Sequence, residues 1–189
     1  MKSGKVFIFS APSGSGKTTV VRHLLSVFPE LTFSISATTR APRGEEQNAK
    51  DYYFISLEEF KAKIAKDEFV EYEEVYQNLF YGTLKSEVER IWEEGKHVVL
   101  DVDVQGGISL KEYFKEKALS VFVCPPNVAC LEDRLRARAT DSEEAIKERV
   151  AKAAEEMPFG DQFDVRLINK DLPVCLANAE KLVTEKLSE

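Results

Sequence analysis

Sulfur is scarce in this sequence and has no pattern. Cys124, Cys130 and Cys175 are an odd number of cysteines at irregular spacing, with no CxxC pair. That excludes a zinc ribbon or a disulfide framework and points to inert thiols in a reducing compartment. Long apolar runs are also missing: Val6–Phe9 is far too short for a signal peptide or a membrane span. There is no Asn-x-Ser/Thr acceptor, no internal repeat and no low-complexity tract. Positive charge is in deficit. The net charge of −7 leaves no broad basic face of the kind a general nucleic-acid binder carries. The only histidines, His23 and His97, pair with no nucleophile in a hydrolase-like pattern and are read as structural. A cytoplasmic protein with neither nucleic-acid nor membrane partners is expected.

What is present is the composition of a soluble globular chain: 189 residues, 43% apolar and 31% charged, enough for one compact domain. Apolar runs at Lys5–Ser10, Lys96–Val104 and Leu119–Pro126, and more weakly Asp164–Asn169, predict buried strands. Helical spacing runs through Thr18–Phe28, Leu84–Glu94, Val128–Arg138, Glu143–Glu156 and Leu172–Leu187. Alternating strands and helices predict an α/β fold with a parallel sheet covered on both faces. Two segments break the rhythm and read as insertions. Residues 36–84 hold one clear helix, Leu57–Lys66, opened by a Ser56–Glu59 capping box. Residues 127–156 form an Arg- and Glu-rich helical pair.

The stretch FSAPSGSGKTTV, Phe9–Val20, follows a strand and opens a helix, the context a phosphate-binding loop requires. Gly14 and Gly16 let the backbone curl so that successive N–H groups from Ala11, Pro12, Ser13 and Ser15 through Thr19 enclose phosphate oxygens, apart from proline, which has none. The helix N-terminus adds partial positive charge. Lys17 supplies a mobile full charge, and the Thr18 hydroxyl suits Mg²⁺. Ala11 stands where the motif has its first glycine, which opens a question about the backbone at that point. A nucleoside triphosphate with Mg²⁺ is expected. A GTPase reading draws on Asp103-Val-Gln-Gly106 and Asn169-Lys170-Asp171 but fails, because Asp171 comes one residue too early.

A second anion site is carried by Phe33–Phe54. Arg40 and Arg43 flank Pro42, which fixes the local backbone. Two guanidiniums on such a turn form a fork for a phosphate monoester. Tyr52 and Tyr81 are candidate hydroxyl donors to it; Tyr52 against Tyr53 is a question of register, with Tyr52 favoured. Glu71 can accept from both N1–H and N2–H of a guanine, and adenine offers no such pair. Thr83 adds a bond to the base. Against this, Glu71 lies among Glu68, Glu73 and Glu74, and acidic runs are usually solvated faces.

The stretches APSGSGKT, SATTRAPRGEE, KDYYF, FVEYEEVY, YGT, VVLDVDVQGG, DRLRARATDSEEAIKER and INKDL together resemble the guanylate kinases, in family order over nearly the whole chain. The resemblance implies a P-loop NTPase fold with a five-stranded parallel core sheet (residues 1–35, 85–126 and 157–189), a GMP-binding insertion (36–84) and a helical lid (127–156). It implies that Ser36, Arg40, Arg43, Tyr52 and Tyr81 bind the GMP phosphate and that Glu71, Thr83 and Asp103 read guanine. Asp101 would support Mg²⁺ through water. Arg134, Arg138 and Arg149 would close over the transferring group. Asn169 would help set the lid arginine and the adenine pocket.

The charge problem explains the arginines. Each pair of unit charges at ~4 Å repels by about 4 kcal/mol at an effective dielectric of 20, and ATP and GMP bring several such pairs together. Val128, Leu131 and Leu135 form an apolar stripe, with Arg134 and Arg138 sharing a neighbouring face at i and i+4. The bland alternative is a salt-bridged helix surface, which is the reading for Arg136; Trp92 is read as packing. The family's glycines around the second lid arginine are Ala137 and Ala139 in this chain, which stiffens that turn. In-line transfer from MgATP to GMP without a covalent intermediate is expected, with dGMP as a further substrate and a monomer or weak homodimer as the working form. The rivals are a kinase of another nucleoside monophosphate and a non-catalytic guanylate kinase-like binding module.

Overall fold

The computed structural model describes residues 4–138 and 142–189, with only the backbone of Arg138. Five strands form the core sheet: β1 (Val6–Ser10), β2 (Leu31–Phe33), β7 (His97–Asp101), β8 (Ala118–Cys124) and β9 (Val165–Ile168). Their order is β2-β7-β1-β8-β9, and every pairing is parallel.

Sequence alternation assigns the two faces of this sheet. Phe7 and Phe9 of β1 point to one side, where α1 (Lys17–Val27) brings Val20, Val21 and Leu24, and α7 (Leu172–Ser188) brings Cys175, Ala179 and Val183. Val6 and Ile8 point to the other, against Val88 and Ile91 of α3 (Lys85–Glu93) and Leu110 and Phe114 of α4 (Val104–Phe114). Burial on both faces explains why these strands read as continuous apolar runs.

A second sheet holds β3 (Ala37–Thr38), β4 (Tyr53–Phe54), β5 (Phe69–Tyr76) and β6 (Leu79–Leu84), in the order β4-β3-β6-β5. The β5–β6 hairpin turns at Asn78, whose φ is +62°, a conformation asparagine tolerates better than most residues. Beneath it lies α2 (Leu57–Ala65), where Phe60 stacks on Phe69 with ring centroids 4.4 Å apart. Ser56 caps α2, accepting from the Glu59 amide at 3.0 Å. The arginine-rich pair is α5 (Val128–Arg138) and α6 (Glu143–Glu156), sealed by Leu131, Leu135, Ile146 and Ala153.

Three expectations need correction. The strand predicted over Lys96–Val104 stops at Asp101, and Val104 opens α4. The Asp103 side chain accepts from the Gly106 amide at 2.8 Å and so turns the chain from strand into helix. The fifth core strand, β2, is three residues long and gave no run to detect. Residues 36–84 hold a sheet as well as the one predicted helix.

Candidate active site

The C-terminal ends of β1 and β7, flanked by strands on both sides, open into a cleft of about 620 Å³, the position where parallel sheets bind ligands. One wall is the loop from Ala11 to Gly16 with Thr18 and Thr19 at the start of α1. Gly14 and Gly16 have φ of +87° and +95°, which L side chains rarely adopt. Space requires glycine as well. A Cβ on Gly16 would lie 2.5 Å from Asn169 Nδ2, and one on Gly14 would lie 2.9 Å from Leu131 Cδ1. Ala11 is buried in the core cluster and is not among the positive-φ residues. Its substitution for glycine therefore leaves the loop's shape unstrained.

Lys17 reaches across this loop. Its ammonium donates to the Val102 carbonyl at 2.6 Å and pairs with Asp101 Oδ1 at 2.5 Å. Buried Asn169 donates through Nδ2 to the Ser15 carbonyl at 2.9 Å, and its own carbonyl accepts from Arg134 Nη2 at 2.6 Å. Arg134 is thus joined to the loop through Asn169 and does not line the cleft.

The opposite wall comes from the second sheet and the chain entering it: Ser36 and Tyr52, just ahead of β3 and β4, and Glu71 and Tyr81 on β5 and β6 face the loop, with Asp103 and Gly106 between. Arg40 lies behind this surface with its side chain 9% exposed. Its Nε donates to the Tyr81 hydroxyl at 3.0 Å, and its two terminal nitrogens grip Glu46 at 2.7 and 3.0 Å. Glu46 also accepts from the Arg43 amide at 2.8 Å. The Arg40 hydrogen bond, then that amide, hold the Glu46 carboxyl down at about 2. The Arg43 side chain is exposed and does not line the cleft. Tyr52 faces the cleft, 5.1 Å from the Arg40 guanidinium, whereas the Tyr53 hydroxyl donates away from it to Glu87 at 2.9 Å.

Glu71 and Thr83 are cross-strand partners on β5 and β6, and the Thr83 hydroxyl donates to Glu71 Oε1 at 2.7 Å. Burial pushes the Glu71 carboxyl up to about 7. The Thr83 hydrogen bond opposes this, and the charges of Asp103 and Glu73 add to it. Glu71 Oε2 lies 3.4 Å from where a Cβ on Gly106 would be, so the absence of a side chain there keeps this oxygen accessible.

Several lining residues escaped the sequence reading, two of them charged groups from α6. Lys152 and Glu156 on α6 line the cleft. Arg149, Lys152 and Glu156 are spaced three and four apart, one helix face, and that spacing was the available signal. Burial raises the Glu156 carboxyl, and Lys152 counteracts it. Arg149 is half-buried on the same helix. The Arg138 side chain and Ala139 lie outside the described residues.

The Thr18 hydroxyl and the Asp101 carboxylate are among the hard oxygen donors lining the cleft, a kind suited to Mg²⁺. Among the described residues no three His, Cys, Asp or Glu side chains cluster to hold an ion. A hydroxyl and one carboxylate suit an ion that takes its other ligands from phosphate oxygens and water. No helix among the described residues is long and apolar enough to cross a membrane.

A family model described as guanylate kinase matches residues 3–186. A guanylate kinase of Porphyromonas gingivalis is 52% identical over 98% of this chain and 99% of its own length. One of Salinibacter ruber is 44% identical over the full length of both. Among solved structures, guanylate kinase from Anaplasma phagocytophilum superposes with a TM-score of 0.77 at 28% identity, covering 100% of this chain and 89% of that one. A family match over nearly the whole chain, relatives this similar and a phosphate loop facing a half-buried carboxylate–hydroxyl pair agree, and the chain belongs to the guanylate kinase family.

Proposed function

We propose that the cleft transfers the γ-phosphoryl group of MgATP to GMP, giving MgADP and GDP. The observation that carries this reading is the pairing of Glu71 with Thr83 in the wall opposite the phosphate loop. With Oε1 held by the threonine, the carboxylate presents acceptors to paired N–H donors, which guanine has and adenine lacks. Asp103 adds a third acceptor at the same edge. Ser36, Tyr52, Tyr81 and Arg40 hold the GMP phosphate, and Arg43 joins them by turning its exposed side chain inward.

ATP phosphates rest on the amides of the loop. Lys17 then exchanges Asp101 for the β- and γ-phosphates. The Thr18 hydroxyl, and Asp101 through water, would hold Mg²⁺, which would supply neutralisation of phosphate charge. The GMP phosphate oxygen is already anionic, so no general base is required, and catalysis is positioning plus charge neutralisation. Arg134, Arg138 and Arg149 close over the transferring group, a role worth on the order of 10³–10⁵ in rate for arginines in such enzymes.

Residues 36–84 act as the GMP-binding insertion and 127–156 as the lid, on a core of 1–35, 85–126 and 157–189. The enzyme works as a monomer or weak homodimer in the cytoplasm and also accepts dGMP, since the groups above touch base and phosphate. The test is ADP release with MgATP and GMP, dGMP, AMP, UMP or CMP, with Glu71→Gln alongside. Turnover with GMP and dGMP alone, weakened by the substitution, supports the proposal. ADP release without a monophosphate makes the chain an NTPase. Nucleotide binding without turnover favours the binding-module alternative.

A further inference from the structure

Glu87 on α3 is a buried charge, 2% exposed, that the chemistry above does not use. Four donors converge on it. The Ile35 amide at 3.3 Å and Arg90 Nη2 at 2.9 Å reach Oε1; the Tyr53 hydroxyl at 2.9 Å and Arg90 Nε at 3.0 Å reach Oε2. Burial works against its charge, but Arg90, then the Ile35 amide and the Tyr53 hydroxyl, outweigh that and hold the carboxyl below its ordinary range. A well-packed apolar side chain usually stabilises a fold as well as a buried ion pair does, so stability alone does not explain this arrangement.

The location of the bonds does. Ile35 lies in the short connection from β2 of the core sheet to β3 of the second sheet. Tyr53 opens β4, and its amide donates to the Ser36 carbonyl at 2.9 Å. Successive residues of extended chain face opposite ways. Ser36 and Tyr52 face the cleft, while the Tyr53 side chain turns back to Glu87 and the Ile35 main-chain amide, next to Ser36, points there too. α3 begins directly after β6, which carries Tyr81 and Thr83, and packs on the core sheet through Val88 and Ile91. Both chain crossings between the sheets therefore run beside this carboxylate.

We infer that Glu87 is a positioning residue: it clamps Ile35 and Tyr53 to α3 and thereby fixes Ser36 and Tyr52 as one side of the monophosphate subsite. The inference rests on the reading that those two residues hold the GMP phosphate. None of the four bonds reaches the phosphate loop, so the clamp acts on GMP and not on ATP.

Steady-state kinetics of Tyr53→Phe, Glu87→Gln and the double variant test it. Tyr53→Phe is expected to raise KM for GMP about fivefold and Glu87→Gln about tenfold, with KM for ATP within about twofold of wild type. The double variant is expected to be no worse than Glu87→Gln, because the hydroxyl acts through the carboxylate. Parallel rises in both KM values, additive effects, or an unaltered Tyr53→Phe overturn the clamp. Tyr53→Phe removes a single oxygen and decides the matter even if Glu87→Gln fails to fold. A wild type that does not phosphorylate GMP overturns the proposed function instead; an active wild type with an unaltered Tyr53→Phe overturns only the clamp.

Discussion

At one end of the cleft the phosphate loop offers main-chain amides on glycines held at φ near +90°. At the other end, residues 36–83 offer side chains gathered from β5, β6 and the chain just ahead of β3 and β4, backed by the turn that carries Arg40. The first arrangement stores its geometry in the backbone and keeps one mobile charge, Lys17, parked on Asp101. The second stores its geometry in contacts between side chains: Arg40 on Glu46 and Tyr81, Thr83 on Glu71. A backbone site tolerates change wherever φ is ordinary. A side-chain site depends on partners that never touch the ligand.

The largest effect separating the two ends should come from Lys17→Ala. It removes the only full positive charge of the loop and leaves the GMP wall untouched. We expect kcat to fall on the order of 10³-fold, with GMP affinity, measured by calorimetry, little changed. Equal losses at both ends would mean that the subsites are not separable.

Glu71→Gln strikes the other end. An amide replaces one acceptor with a donor facing guanine donors, so kcat/KM for GMP is expected to fall on the order of 10²-fold, with KM for ATP retained. The wild-type carboxyl sits at about 7 because burial disfavours its charge, and guanine needs the ionised form. GMP affinity should therefore rise with pH through about 7 and weaken about tenfold per unit well below it. Folding follows the opposite sign. A carboxyl raised from 4.5 contributes its full stability below 4.5 and loses it as pH rises through about 7. Glu71→Gln should therefore be more stable than wild type at pH 8, by roughly 3 kcal/mol, in denaturant titrations. A flat pH profile for GMP binding would remove Glu71 from base recognition.

Glu46→Gln probes the supporting layer. Among the described residues, Tyr81, Ala41 and Glu46 take four hydrogen bonds from Arg40, leaving one of its five N–H groups. A glutamine cannot accept with both atoms, and its amide would face a guanidinium N–H. We expect KM for GMP to rise about tenfold. A fall in KM would show that Glu46 competes with the substrate phosphate for Arg40.

The same contrast governs what could be read in advance. The loop was legible because its geometry requires particular residues at fixed spacing. β1, β7 and β8 were legible because burial on both faces makes them apolar throughout. α4 was hidden: Asp101-Val-Asp103-Val continues the strand's alternation, and Gly106 and Gly107 weaken a helical signal. Gly107 is small for packing, since a Cβ there would lie 2.9 Å from Phe163. β5 was hidden because Tyr72, Val75 and Tyr76 lie exposed and Glu71, Glu73 and Glu74 break its apolar pattern. Only strand alternation, visible once β5 is known, turns Glu71 and Glu73 to the cleft and leaves Glu74 exposed. Arg40 and Arg43 looked equivalent in sequence; the Tyr81 contact that distinguishes them comes from outside the motif, and the motif does not show that Glu46 grips the side chain of one and only the amide of the other.

The smallest expected effect tests the claim that a backbone site is indifferent to sequence where φ is ordinary. Ala11 occupies the motif's first glycine position, is buried in the core cluster and lacks a positive φ. Ala11→Gly removes a packed methyl and frees the unfolded chain, so it should destabilise the fold by about 1 kcal/mol, read from a denaturant midpoint at constant slope. If the loop were strained at this residue, glycine would relieve the strain and the midpoint would rise. A fall places the loop's conformational demand on Gly14 and Gly16, where a side chain would also collide with Leu131 and Asn169.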